Sequence, residues 1–357
     1  MAVDPHPLKG RGALSNPPGR FERSTRESYD DGWYREEAPD SVATSVQPDS
    51  ARRVITRNDS PDIPFEYSIN PYRGCEHGCI YCYARPSHAY VGLSPGIDFE
   101  TKLFYKADAA RLLEAELAKP GYVCKPIMLG ANTDPYQPVE RRLGVTRGIL
   151  EVLARHRHPV AVITKSALIA RDVDLLADLA RDDLTAVMIS LTTLDPDTKR
   201  TLEPRAASPQ ARLRVMRELA AAGVPVGVMV APVIPAVTDH ELERILEAAA
   251  EAGARSAGYV VLRLPYEVKA LFREWLDAHH PDRARHVMSL VRSLRGGRDN
   301  DPRFGTRMRG EGPFAELLRQ RFRAACRRLG FARRGEVALD TTRFRPPRPP
   351  SPQLDWL

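Results

Sequence analysis

The 357-residue chain predicts an α/β fold: a partial TIM-type (β/α)6 open barrel of parallel strands with a helical basic C-terminal extension. Three observations predict it. Five near-continuous apolar runs recur in the middle of the chain: PIMLGA (126–131), PVAVIT (159–164), TAVMISL (185–191), VPVGVMVAP (224–232) and SAGYVVLRL (256–264). Runs of this kind suit strands buried on both faces of a parallel sheet. A helical pattern precedes each run, and FEYSIN (65–70) supplies a first strand, which makes six βα units. The segment from Arg283 to Arg334 holds 15 arginines, no lysine and four acids, a formal charge of +11 where the whole chain carries +7.

The elements follow in order. Residues 1–60 are polar and rich in Pro, Ser, Arg and Asp, with no sustained apolar period, and read as a disordered polar arm. Residues 61–265 carry the βα repeat and form the core domain. Its helices are expected in ADAARLLEAELAK, RRLGVTRGILEVLARHR, RDVDLLADLARDD, SPQARLRVMRELAAAG and DHELERILEAAAEAG. Ser208 before Pro209, and Asp239 before Glu241, are helix-start chemistry. Gly223 and Gly253 stand where helix C-caps stand. Right-handed crossovers between parallel strands place a ligand site at the C-terminal strand ends. Residues 266–340 read as the helical extension, and 341–357 as a Pro-rich extended tail.

Composition excludes several classes. With 43% apolar and 28% charged residues, the chain is neither wholly disordered nor fibrous. No apolar stretch is long enough to span a membrane. The N-terminus lacks the apolar region of a secretory signal, so the protein is expected to be cytoplasmic, with no membrane partner. Five cysteines, an odd number, argue against a disulfide scaffold and for a metal site or reactive thiol. The basic C-terminal segment suggests a polyanionic partner such as nucleic acid; solvated helix faces would account for the same composition.

The strongest chemical signal follows the first strand, in NPYRGCEHGCIYCY (70–83). Cys75, Cys79 and Cys82 are spaced C-x3-C-x2-C. Thiolates packed this tightly need a cation, and soft sulfur selects zinc or an iron–sulfur cluster. Cys124 and Cys326 are distant in sequence and read as small buried hydrophobes. His77 is the nearest alternative fourth ligand, which leaves a zinc site of Cys75, Cys79, Cys82 and His77 as the structural alternative. Three thiolates on a four-iron cluster leave one iron open, and an open position is a catalytic feature.

C-x3-C-x-Tyr-C after a first strand, followed by βα repeats, resembles the radical SAM superfamily. The resemblance runs from about Tyr67 to Leu329. It is closest to a bacterial group related to spore photoproduct lyase, through YARPSHAYVGLSPGIDFETK, GANTDPYQPVERR, LEPRAASP, GVMVAPVIP and GTRMRGEGPFAELL. The resemblance implies a 4Fe-4S cluster whose open iron is chelated by S-adenosylmethionine. It also implies an electron from a reductant such as flavodoxin or ferredoxin, and a 5′-deoxyadenosyl radical that abstracts a hydrogen atom. It assigns Cys75, Cys79 and Cys82 to the cluster and Tyr81 to a position against adenine. Gly130 and Asn132, with Thr133 or Asp134, fall on the turn that binds the methionine amino group. Lys165 falls where a cation meets the cofactor carboxylate, Ser190 where a hydroxyl reaches the ribose or carboxylate, and Ala231 where backbone contacts adenine. The thiol that serves the lyase as hydrogen donor falls on Asn132, so thymine-dimer repair does not transfer. Glu203, Arg205 and Arg212 read as a buried brace rather than a substrate clamp. Two alternatives remain: the same enzyme class acting on a small molecule or protein, and a non-enzymatic zinc-binding module.

Overall fold

The structure is a computed structural model that describes residues 8–22, 41–332 and 338–347. Ten strands form two sheets. β1 (Ser45–Pro48), β4 (Tyr72–Arg73) and β5 (Lys102–Tyr105) make a small sheet in the order β1-β5-β4. The large sheet joins β2 (Ile55–Arg57), β3 (Tyr67–Ile69), β6 (Ile127–Leu129), β7 (Val160–Thr164), β8 (Thr185–Ser190), β9 (Val226–Val233) and β10 (Ser256–Val261). Its order is β10-β9-β8-β7-β6-β3-β2. The six strands from β3 to β10 pair in parallel, in sequence order, and only β2 runs antiparallel, at one edge. The six βα units thus form an open barrel, with no closure between β10 and β2.

All five expected core helices form. They include Pro209–Ala221, where the Ser208 hydroxyl accepts from the Ala211 N–H, and Leu242–Glu251. Glu241 does not start the second helix as a cap would. Its carboxylate is buried and accepts from Thr193 Oγ1 and the Leu194 N–H instead, tying the end of β8 to the next helix.

The strands are not buried equally on both faces. In β7, Val160, Val162 and Thr164 are buried, while Ala161 and Ile163 are half-buried and face inward. Met128, Met188, Ser190 and Met229 face inward in the same way. Period-two alternation sends one set to the helices and the other to the barrel interior. Six strands leave an unfilled interior, here a cavity of about 1830 Å³.

The arm departs from expectation. Residues 1–7 and 23–40 lie outside the described residues, but 8–22 include a buried stretch and 41–60 carry β1 and β2. Arg11, Gly12, Ala13 and Leu14 are buried. The Gly12 and Ala13 N–H groups donate to the Glu100 carboxylate at 2.9 Å each. Arg11 donates to the Glu100 carbonyl at 3.0 Å and to Thr44 at 3.0 Å. A Cβ on Gly12 would stand 1.9 Å from the Gly78 carbonyl oxygen. The segment lacks apolar periodicity because backbone and guanidinium hydrogen bonds hold it, and hydropathy does not register those.

The extension contributes helices Val268–His279, Ala284–Ser293 and Pro313–Leu329. The first two bury Leu271, Phe272, Trp275, Val287 and Val291 in a second core with Ile80, Leu202, Ile234 and Leu262. The third pairs with helix Leu242–Glu251 through Arg321–Glu243 at 2.7 Å and Arg328–Glu247 at 2.6 Å. Of the tail, residues 341–347 are described and pinned, while 348–357 lie outside the described residues. Phe344 packs between Tyr122 and His158 at the N-terminal end of the barrel, and the Arg345 N–H donates to the His156 carbonyl at 2.8 Å. No helix among the described residues is long and apolar enough to cross a membrane.

Gly12→Ala should destabilise the protein by about 1–3 kcal/mol, because a methyl group must displace the Gly78 backbone. Chemical denaturation measures this; an unchanged midpoint would mean the arm is not seated on the loop.

Candidate metal and cofactor site

The three-cysteine loop joins β4 to the rest of the barrel at the C-terminal strand ends. Its backbone is fixed from several sides. The Cys75 N–H donates to the Phe99 carbonyl at 2.9 Å, and the Ile80 N–H to the Leu202 carbonyl at 3.1 Å. Gly78 has φ +66°, and a Cβ there would sit 2.7 Å from Glu100 Oε2. Arg85 is fully buried and donates to the carbonyls of Cys79 (2.9 Å), Gly78 (3.2 Å), Pro95 (3.1 Å) and Gly96 (2.9 Å) and to Glu100. One guanidinium therefore holds the middle of the loop and the later turn at Pro95 and Gly96. Its charge is answered by Glu100, which the arm also grips.

Cys75, Cys79 and Cys82 all line the barrel cavity. Burial pushes all three thiols above their ordinary pKa, and for Cys75 the neighbouring acid Asp134 and the two other cysteines add to it. A bound cation would reverse that cost, because it favours thiolates. Among the described residues, no three His, Cys, Asp or Glu side chains converge tightly enough for a single metal ion. His77 is also committed elsewhere: its Nδ1 lies 3.3 Å from Asp134 Oδ2.

In the turn after β6 the candidate acceptors differ in what they already bind. Asp134 accepts from Thr164 Oγ1 at 2.7 Å, the Lys165 N–H at 2.7 Å and the Tyr136 N–H at 2.9 Å, besides facing His77. Burial alone would raise its pKa, but His77 and these donors hold it below the ordinary carboxylate value. It is a structural anchor between β6 and β7. Thr133 donates to the Tyr72 carbonyl at 2.7 Å. Asn132 lines the cavity, and its side chain has no hydrogen-bond partner among the described residues. Gly130, with φ +90°, is needed for packing: a Cβ would meet the Ile163 carbonyl oxygen at 2.3 Å.

The remaining positions form a second group. Glu203 is fully buried and accepts from Tyr81, from Thr192 at 2.7 Å and from Arg212. Lys165 Nζ lies 3.4 Å from Glu203 and donates to the Ala231 carbonyl at 2.9 Å. Thr192 Oγ1 also lies 2.9 Å from that carbonyl. Burial would raise the Glu203 pKa, but Arg212 and Lys165 overcome it and hold the carboxylate ionised. Tyr81, Lys165 and Ala231 are therefore one network beneath Cys79. Glu203 and Arg212 are the brace, while Arg205 turns outward to Glu76 at 3.2 Å. Ser190 lines the cavity, with its hydroxyl unpartnered among the described residues. Cys124 is half-buried rather than buried and does not line the cavity, and desolvation pushes its thiol up to about 12. Cys326 is only half-buried and does line it, which revises its reading as a buried hydrophobe.

Two cavity residues were missed from sequence. Tyr83, 46% exposed, donates to the Ala131 carbonyl, and Arg263 lies over its ring at 5.4 Å. The Arg263 Nε is buried without a partner among the described residues. Tyr83 directly follows the third cysteine, a position that could have drawn notice; no local pattern marks Arg263.

Comparison with known proteins agrees with this geometry. The model of the radical SAM superfamily matches residues 69–249, just over half of the chain. An uncharacterised protein of Mycobacterium tuberculosis is 39% identical over 232 residues, 64% of this chain and 68% of that protein. A radical SAM Nα-GlyT isomerase of Pseudomonas phage M6 is 23% identical over 215 residues, 59% of this chain and 39% of the phage protein. Among solved structures, a spore photoproduct lyase variant with bound AdoMet and dinucleoside spore photoproduct superposes with TM-score 0.57 at 16% identity, covering 80% of each chain. That likeness speaks for the fold.

Glu203→Gln should cost about 3–5 kcal/mol at neutral pH, because Arg212 would be left buried without its counter-charge. The folded-state pKa of Glu203 is depressed, so its contribution is present above the ordinary carboxylate pKa and fades as pH falls. The stability gap between variant and wild type in urea should therefore narrow on acidification; a gap independent of pH would contradict the assignment.

Proposed function

Because the chain belongs to the radical SAM superfamily, we propose that it holds a 4Fe-4S cluster through Cys75, Cys79 and Cys82, with S-adenosylmethionine beside it, and acts on an anionic substrate of the nucleic-acid class. The observation that carries this is the sharing of one cavity. The three cysteines, the unpartnered polar groups of Asn132 and Ser190, and arginines without carboxylate partners line the same space.

When bound, the cluster held by Cys75, Cys79 and Cys82 and the S-adenosylmethionine beside it would supply one-electron radical chemistry for hydrogen abstraction. The chain's own residues do the rest. Arg85, Glu100 and the arm fix the loop that presents the thiolates. Asn132 supplies an acceptor at the turn after β6, where Asp134 is already saturated. Lys165 brings a cation to the base of the site and, with Thr192, fixes the Ala231 carbonyl. The Tyr81 hydroxyl is held by Glu203, which keeps its ring against the cavity wall. The electron comes from a protein reductant such as flavodoxin or ferredoxin.

Placement refines the argument from charge. Much of the C-terminal arginine content is neutralised locally: Arg292 by Asp299, Arg303 by Asp301, Arg319 by Glu316, Arg321 by Glu243 and Arg328 by Glu247. Those arginines belong to the fold and its solvated faces. What supports an anionic substrate is the remainder that lines the cavity without a carboxylate partner among the described residues: Arg309, Arg323 and Arg327.

After anaerobic reconstitution, the wild-type protein with dithionite should form 5′-deoxyadenosine, and Cys79→Ala should lose both the brown chromophore and that product. Stoichiometric zinc in place of iron would end the proposal. Lys165→Ala should weaken S-adenosylmethionine binding roughly ten-fold, the worth of one charge-assisted hydrogen bond. Equilibrium binding to the reconstituted protein measures this, and an unchanged affinity would confine Lys165 to the Glu203 network.

A further inference from the structure

The barrel has one unclosed seam, between edge strands β10 and β2, and the cavity is lined by residues from both sides of it. Arg57, at the end of β2, lines one side. Arg309, Arg323 and Arg327 line the other. None of the four has a carboxylate partner among the described residues. Arg309 lies 4.6 Å over the ring of Tyr259, which leaves the edge of its guanidinium to donate. One ion pair crosses the seam, Arg307 to Asp62 at 2.5 Å, and the Gly305 N–H also donates to Asp62 at 2.7 Å.

The helix Pro313–Leu329 sharpens the point. Arg323 and Arg327 are four residues apart, so they share a face as like charges, which costs a helix a few tenths of a kcal/mol. Three other arginines of the same helix, Arg319, Arg321 and Arg328, are each matched by a glutamate. Arg323 and Arg327, both exposed, line the cavity without a carboxylate partner among the described residues, whereas Arg319, one turn earlier on the same stripe, is matched by Glu316. Phe304, 58% exposed, lies at the same opening and offers a ring for stacking. Cations that follow a groove, interleaved with aromatic rings, are the chemistry that binds a single nucleic-acid strand.

The geometry points to the seam as a track for the phosphate backbone of a single-stranded nucleic acid, with Arg57, Arg309, Arg323 and Arg327 contacting phosphates and the reacting nucleotide turned into the cavity toward the cysteine loop. This rests on the functional reading above and adds the strand and its path. A stacked base in a duplex could not reach a site at the depth of a cavity; an extruded or single-stranded one can.

The test is fluorescence anisotropy on the full-length reconstituted protein, with a labelled single-stranded oligonucleotide, a duplex of the same sequence and a mononucleotide. Each is titrated at several salt concentrations. The pair Arg323→Gln and Arg327→Gln should weaken strand binding at least ten-fold and flatten the slope of log affinity against log salt by about 1.4, the value for two lost phosphate contacts on a single strand. The pair Arg321→Gln and Arg328→Gln, on the glutamate-matched face, removes equal charge and should leave strand affinity unchanged. Equal weakening by both pairs would reduce the effect to net charge and overturn the track. Tighter binding of the duplex or the mononucleotide than of the strand would overturn it too. Formation of 5′-deoxyadenosine by the same preparation separates the two claims. Product without strand binding removes the track alone, and strand binding without a cluster removes the enzyme reading alone.

Discussion

Six parallel strands do not close a barrel, and this constraint shapes the rest of the molecule. A closed eight-stranded barrel fills its interior with side chains. Here β10 and β2 remain apart, and the inward set of Met128, Ala161, Ala186, Met188 and Met229 lines a space instead of filling it. The space opens at the C-terminal strand ends, where the cysteine loop caps it, and is walled by the helix Pro313–Leu329 and its preceding loop. The opposite end is crossed by the tail through Phe344 and Arg345. Cofactor room, substrate entry and the need for an extension all follow from two missing strands.

The cysteine loop is held by buried charge rather than by apolar packing. Arg85 with Glu100 and Arg212 with Glu203 are fully or almost fully removed from water. Buried ion pairs contribute little net stability against apolar replacements, yet breaking one is costly. Their value here is geometric. Arg85 satisfies four loop carbonyls that no regular element could reach, and Glu203 gathers Tyr81, Thr192, Lys165 and Arg212 around a single carboxylate. Loops that hold a cluster cannot adopt helix or strand, so their backbone groups must be answered by side chains.

The parts legible in the sequence were those with a repeating physical signature. Apolar runs spaced by amphipathic segments gave the strands in order, because a parallel sheet with helical crossovers needs that alternation. The cysteine spacing marked the loop for a similar reason, since three thiols within eight residues crowd charge that only a metal centre relieves. The ordered arm was not legible: Arg11, Gly12 and Ala13 bind through backbone amides and a guanidinium to Glu100, and no local pattern announces a partner that far along the chain. Asn132, whose side chain lines the cavity without a hydrogen-bond partner among the described residues, was legible only as one of three candidates. Asp134 looked the better candidate by charge, and only its four bonding partners show that it is spent on anchoring β7. Arg263 was invisible because its neighbours Tyr83, Met308 and Asp62 come from distant parts of the chain.

Net charge illustrates the same limit from the other side. The C-terminal segment is strongly basic by composition, and composition alone cannot separate a binding surface from a solvated one. The structure divides the arginines by what answers them. Arg321 and Arg328 join two helices through glutamates and serve the fold. Arg295 donates to four backbone carbonyls, those of Val261, Leu262, Thr306 and Arg307, and holds the loop after β10, with burial lowering its pKa to about 10. Arg309, Arg323 and Arg327 have no carboxylate partner among the described residues and line the space that the cysteines also line, while Arg263 is set against the Asp62 carboxylate that Arg307 also engages. An arginine left without a counter-charge at a cavity wall loses Coulombic stabilisation that neighbouring positions retain.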